Sequence, residues 1–89
     1  MKSIHLIVSG KVQGVFFRAN VKDKATELEL VGYSKNLADG NVEIVAQGNE
    51  EKINKLIKFI KNNPGHSKVR EMKINHKEIK NFKSFEIRY

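Results

Sequence analysis

Ser3-Ile4-His5-Leu6-Ile7-Val8-Ser9-Gly10-Lys11-Val12-Gln13-Gly14-Val15-Phe16-Phe17-Arg18 is the stretch whose reading decides the fold. Its first seven residues alternate, with Ile4, Leu6 and Val8 on one side and Ser3, His5, Ile7 and Ser9 on the other. A period of two makes a strand with one buried face. From about Arg18 to Leu30 the period becomes helical: Val21, Ala25 and Leu28 form an apolar stripe, while Lys22, Asp23, Glu27 and Glu29 face water. Gly32 is the expected helix stop. Between strand and helix runs a short loop punctuated by Gly10 and Gly14, and it delivers Arg18 where the helix begins.

Working outward, Val31 to Asn36 and Asn41 to Gln47 read as two strands joined by a Leu37-Ala38-Asp39-Gly40 hairpin, with glycine available for positive φ. Val42, Ile44 and Ala46 share a face opposite Glu43, Val45 and Gln47. Asn49 is suited to N-cap a second helix whose core stripe is Ile53, Leu56, Ile57 and Ile60. Glu50 and Glu51 sit at its positive end, Glu51 and Lys55 make an i,i+4 pair, and Asn62 to Gly65 ends it. Val69 to His76 is a further strand with Met72 and Ile74 inward, and Phe85 and Ile87 alternate in a short last one ending at Tyr89. The order is β-α-β-β-α-β with one additional strand. Its economical packing is α+β, a ferredoxin-like α/β sandwich with two helices on one face of a mostly antiparallel four- to five-stranded sheet.

Eighty-nine residues suit one domain, 1–89, and no run approaches a membrane span. The N-terminus lacks the apolar core and cleavage site of a secretory signal. With no cysteine there is no disulfide framework or thiolate chemistry, so a cytoplasmic protein is expected. The formal charge of +7 comes mostly from lysine, 14 against three arginines, spread along the chain. Lys52, Lys55, Lys58 and Lys61 step by three and wander around a 3.6-residue helix, which fits a solvated face. A positive field of this kind draws small anions; neither a nucleic-acid partner nor a membrane is expected.

A glycine loop of this shape turns consecutive N–H groups toward one point, with a helix N-terminus behind them. That makes a site for a tetrahedral anion, to which Arg18 can add a two-pronged donor. A cation at a helix N-terminus is otherwise unfavourable. On the residues alone, Arg18 fits a solvated first turn as readily, and Asn36 fits a residue serving the turn before Gly40. Gly10, Gly14, Gly32, Gly40 and Gly48 read as conformational. His5, His66 and His76 look isolated and structural or solvated, and no direct catalytic role is read for Ser67-Lys68-Val69. The only aspartates are Asp23 and Asp39, the glutamates are scattered, and no set has metal-ligand spacing; neither a metal nor a cofactor is expected.

Gly10 to Arg18 matches every fixed position of Gly-x-Val-Gln-Gly-Val-x-Phe-Arg, a signature of the acylphosphatase family, which the chain resembles. The family's second signature is met by Gly32, Tyr33, Lys35, Asn36, Gly40, Val42 and Gly48, and the ending Phe82 to Tyr89 is also similar. Ser34, Asn20 and Asn63 depart from the usual residues at their positions.

The resemblance implies hydrolysis of small acyl phosphates to a carboxylate and inorganic phosphate. Arg18 would bind the phosphate and Asn36 would position the attacking water. The backbone amides of Gln13, Gly14, Val15, Phe16 and Phe17 would complete the cradle, while Val12 and Phe17 point their side chains into the core. Gln13, Val15 and Phe16 would act through main-chain atoms. No protein base, metal, cofactor or covalent intermediate is implied; orthophosphate is expected to compete as product, and the chain to be a monomer. Two rivals stay open: a basic ferredoxin-like nucleic-acid-binding module, and a non-catalytic phosphate-binding regulatory domain. Against the first, Ile4 to Val8 and Val42 to Ala46 carry no stacking aromatics.

Overall fold

The alternating N-terminal stretch forms β1 (Lys2–Lys11), central to a five-stranded sheet. It is followed by α1 (Phe17–Glu27), β2 (Val31–Asn36), β3 (Val42–Gly48), α2 (Glu50–Lys61), β4 (Lys68–His76) and β5 (Phe85–Arg88). The computed structural model describes residues 1–14, 16–62, 64–65 and 67–89; the amide expected of Val15, the departure at Asn63 and the reading of His66 fall outside them. Strand order is β4-β1-β3-β2-β5, antiparallel except for the β2–β5 pair, as the ferredoxin-like expectation requires, with one strand added at the β2 edge. Among the described residues no helix is long and apolar enough to cross a membrane.

Period and register together set the two faces of the sheet. Ile4, Leu6 and Val8 pair across to Ala46, Ile44 and Val42, and these in turn to Gly32, Ser34 and Asn36. All the apolar members are buried beneath the helices with Val21, Ala25, Ile53, Leu56 and Ile60. Asn36 therefore ends a row that faces α1. Gly32 is needed in this row because a Cβ there would collide with the Val45 carbonyl. Ser34 fills a small, fully buried position between Ile44 and Ile87, and its hydroxyl has no partner among the described residues.

The expected stop of α1 is corrected. Gly32 does not stop α1; Glu29 does, in the left-handed region at φ 60. Leu30 N–H donates to the Ala25 carbonyl (2.8 Å) and Glu29 N–H to the Thr26 carbonyl (3.0 Å), a Schellman ending with Leu30 and Ala25 both buried. A non-glycine residue at this conformation costs about 1–2 kcal/mol. Lys52 pairs with the Glu29 carboxylate, and burial of Leu30 anchors the next residue. Met72 and Ile74 take the inward face, as expected, opposite Val8 and Leu6, but cover is incomplete: Met72 is half-buried and Ile74 45% exposed. α1 packs over β2 and β5 and α2 over β3, while Val69 and Met72 of the β4 edge are only partly buried against the core.

The other face of the sheet is crossed by the β4–β5 connection, which must pass from one edge to the other. Lys77 N–H donates to the Ser3 carbonyl (3.0 Å), Gln47 exchanges two hydrogen bonds with the Lys80 backbone (2.7 and 2.9 Å), and Phe82 meets Tyr33 at 6.2 Å between ring centres. Beside this strap His5, expected to be isolated, bonds to Glu43 (2.8 Å), which also accepts from the Tyr33 hydroxyl (3.1 Å). Burial pushes the Glu43 carboxyl up, but the hydrogen bonds from His5 and Tyr33 outweigh it and hold it below its ordinary range. Burial and the adjoining Glu43 push the Tyr33 hydroxyl up.

Candidate active site

Helix α1 starts without help from its own sequence. Its N-cap, Phe16, makes no side-chain cap bond, and its first turn holds no acidic residue. Phe16 lies in the left-handed region (φ 58, ψ 23), where a bulky residue is an outlier, and Gly14 before it takes φ 71. The first N–H groups of a helix have no partner within it. A pocket of about 330 Å³ lies at this helix start, lined by Val12, Gly14, Phe16, Phe17, Arg18, Ala19, Asn36, Ile87 and Tyr89.

Arg18 and Asn36, eighteen residues apart, thus share the walls of one cavity. The Arg18 Nη1 donates to the Arg88 carbonyl at 2.9 Å, and the guanidinium stands 4.9 Å from the centre of the Tyr89 ring. One of its five donors is held by the last strand, so the fork is aimed rather than free to wander. Among the described residues of the lining, Arg18 has the one charged side chain.

Asn36 is not occupied by the turn that follows it. That turn is closed by Leu37 N–H to the Asn41 carbonyl (2.8 Å), Gly40 N–H to the Leu37 carbonyl (3.2 Å), and Asp39, whose carboxylate accepts from the backbone and side chain of Asn41 (3.0 and 3.2 Å). The Asn36 Oδ1 is buried and has no hydrogen-bond partner among the described residues. A buried polar atom left unpaired costs about 1–3 kcal/mol, so its partner is to be sought outside the fold.

Gln13 was read as a main-chain contributor; its side chain does structural work as well. Nε2 donates to the carbonyls of Leu37 (2.9 Å) and Asn41 (2.8 Å), tying the glycine loop to the hairpin that carries Asn36. The roles of Gln13 Nε2, the Arg88 carbonyl and Tyr89 escaped sequence reasoning, since each depends on a contact between segments far apart in the chain. Their signal was positional only: a glutamine between two glycines, and an ending similar to the family's. Val12 and Phe17 are buried core residues, as expected. Among the described residues no three His, Asp or Glu side chains stand close enough to hold a metal ion.

The family model for Acylphosphatase matches residues 4–87. The chain belongs to the acylphosphatase family. An acylphosphatase of Archaeoglobus fulgidus is 42% identical over 89 residues, all of both chains. An acylphosphatase of Caldanaerobacter subterraneus subsp. tengcongensis is 55% identical over 60 residues, 67% of each chain. The crystal structure of acylphosphatase from Bacillus subtilis superposes with a TM-score of 0.96 at 36% identity, covering all of both chains. The acylphosphatase fold is therefore shared over the whole chain, including the segments that form the pocket.

Proposed function

We propose that this acylphosphatase hydrolyses small acyl phosphates by direct in-line attack of water. The phosphoryl group is held by the Arg18 guanidinium and the amides of the Gln13 to Phe17 loop, and Asn36 aims the water. The observation that carries the reading is the shared pocket: an arginine fork, an uncapped helix start and an unpartnered carboxamide line one small cavity.

The chemistry asks for little more. Water oxygen bonds to phosphorus while the phosphorus–oxygen bond to the acyl group breaks, and its electron pair leaves on the carboxylate. The conjugate acid of that leaving group has a pKa of about 4, so it departs unprotonated at neutral pH. One proton of the water passes to the phosphate and the other stays with the transferred oxygen, so an acyl phosphate dianion yields a carboxylate and dihydrogen phosphate. Transfer then depends on alignment and on compensating charge at the phosphoryl oxygens. Fixed amides and an arginine already held by Arg88 and Tyr89 supply that without reorganising. Orthophosphate fits the same cradle and competes with substrate. One chain provides every group named, so we read the working unit as a monomer.

The test is steady-state hydrolysis of acetyl phosphate by chelator-treated protein, with and without orthophosphate. Turnover inhibited competitively is expected. Asn36→Ala should lower kcat by about 10²-fold, by analogy with loss of one oriented polar group, while the inhibition constant of orthophosphate changes less than threefold. Turnover by Asn36→Ala at the wild-type rate would remove Asn36 from the water site.

A further inference from the structure

We propose that Phe16 and Tyr89 form an acyl-side wall of the pocket that favours substrates with an aromatic acyl group, Phe16 setting the specificity; this rests on the hydrolytic reading above. Phe16 is 80% exposed and Tyr89 94% exposed. Among the described residues the other large hydrophobics so exposed are Met1, Ile74 and Ile79, at the terminus, the open sheet edge and the strap. Both exposed aromatics, by contrast, line the Arg18 pocket. A phenylalanine held at φ 58 with its ring in water gains nothing from the core and nothing as a cap. Its place is accounted for if the ring meets a ligand.

The lining combines two kinds of residue: Gly14, Arg18 and Asn36 bring polar groups, and Phe16, Ala19, Ile87 and Tyr89 bring apolar surface. At about 330 Å³ the cavity lies at the lower end of small-molecule sites, roomier than a phosphoryl group alone requires. An acyl phosphate anchored by its phosphoryl group keeps its acyl carbon a few bonds away, within reach of the aromatic side chains that line the same pocket. Tyr89 already stacks beside Arg18, and Phe16 is at the first position before the helix. A flat ring meets such partners in offset or edge-to-face contact, a gain of about two- to tenfold in binding.

The experiment compares kcat/KM for benzoyl phosphate and acetyl phosphate in wild type, Phe16→Gly, Phe16→Tyr and Tyr89→Ala. Glycine accepts the left-handed conformation, so the loop backbone is retained. Taking the benzoyl-to-acetyl ratio within each variant cancels both damage to the phosphate end and the differing reactivity of the two substrates. The ratio is expected to fall about three- to tenfold in Phe16→Gly, to fall less in Tyr89→Ala, and to be kept in Phe16→Tyr. A ratio within twofold of wild type in both Phe16→Gly and Tyr89→Ala overturns the inference while leaving hydrolysis intact. Absence of turnover with either substrate in wild type overturns the hydrolytic reading, and the wall with it.

Discussion

At the start of α2, Asn49 accepts from Glu51 and Lys52 N–H (2.9 and 3.3 Å), and Glu50 and Glu51 offset the positive end of the helix. At the start of α1, the residue in the same position is an exposed phenylalanine with left-handed backbone, no acid follows, and an arginine occupies the first turn. The two helices lie side by side on one sheet, so the difference is not one of burial or neighbourhood. The first start is satisfied within the chain; the second is left with open donors and an added positive charge. Capping is worth about 1 kcal/mol, and α1 forgoes it where an anion would supply the same partners.

The largest effect expected from this contrast is at Arg18. Arg18→Ala should lower kcat/KM for acetyl phosphate by about 10³-fold or more, and Arg18→Lys should fare little better because a point charge cannot replace a fork. Orthophosphate, by binding only the folded chain, is expected to raise the melting temperature of wild type and to cease to do so in these variants. A melting shift of wild-type size in Arg18→Ala would break the contrast, since the open helix start would not depend on the guanidinium.

The matching change at the other helix should touch stability alone. Asn49→Ala is expected to cost about 1 kcal/mol in urea unfolding, with acetyl phosphate turnover unaltered well below the melting range. Loss of turnover by folded Asn49→Ala would mean that the two starts are not separate in function.

The smallest effect lies on the strapped face, away from both helix starts, and serves as their control. Glu43 titrates lower in the folded chain than in the unfolded one. Its contribution is therefore present above the ordinary carboxylate value of about 4.3 and is lost as pH falls through the lower folded value. Glu43→Gln should reduce the urea midpoint at pH 7, and the difference from wild type should close in acid, once the folded carboxyl is protonated. Tyr33, titrating higher when folded, works in the opposite sense: its contribution is present below about pH 10 and lost as pH rises through the folded value. A Glu43→Gln deficit that persists unchanged in acid would assign the role to packing rather than charge.

Much of the site was legible because its signals are local. A glycine loop between a period-two and a period-3.6 segment specifies a strand, a turn and a helix start, with Arg18 placed at that start by one step of chain. Asn36 could be put on the end of a strand for the same reason, and alternation puts it on the side of Ile44 and Val42. The helix stop was misread because propensity favours glycine at the left-handed position. Here the buried Ala25–Leu30 contact and the Lys52 pair made Glu29 the better solution. The exposure of Ile74 was not legible because alternation tells which face a residue takes but not how far the helices extend over it.

By itself the amino-acid sequence determined the elements, the inward rows of β1 and β3, the capped start of α2 and the motif residues at the start of α1. Only the tertiary structure decided that Asn36 and Arg18 line one pocket, that Gln13 ties the glycine loop to the hairpin after Asn36, and that Arg88 and Tyr89 hold the guanidinium. The physical reason is range. Periodicity, capping and glycine turns are properties of a few neighbouring residues. The pocket, by contrast, exists only once register and strand order bring residues 12, 14, 16–19, 36, 87 and 89 together.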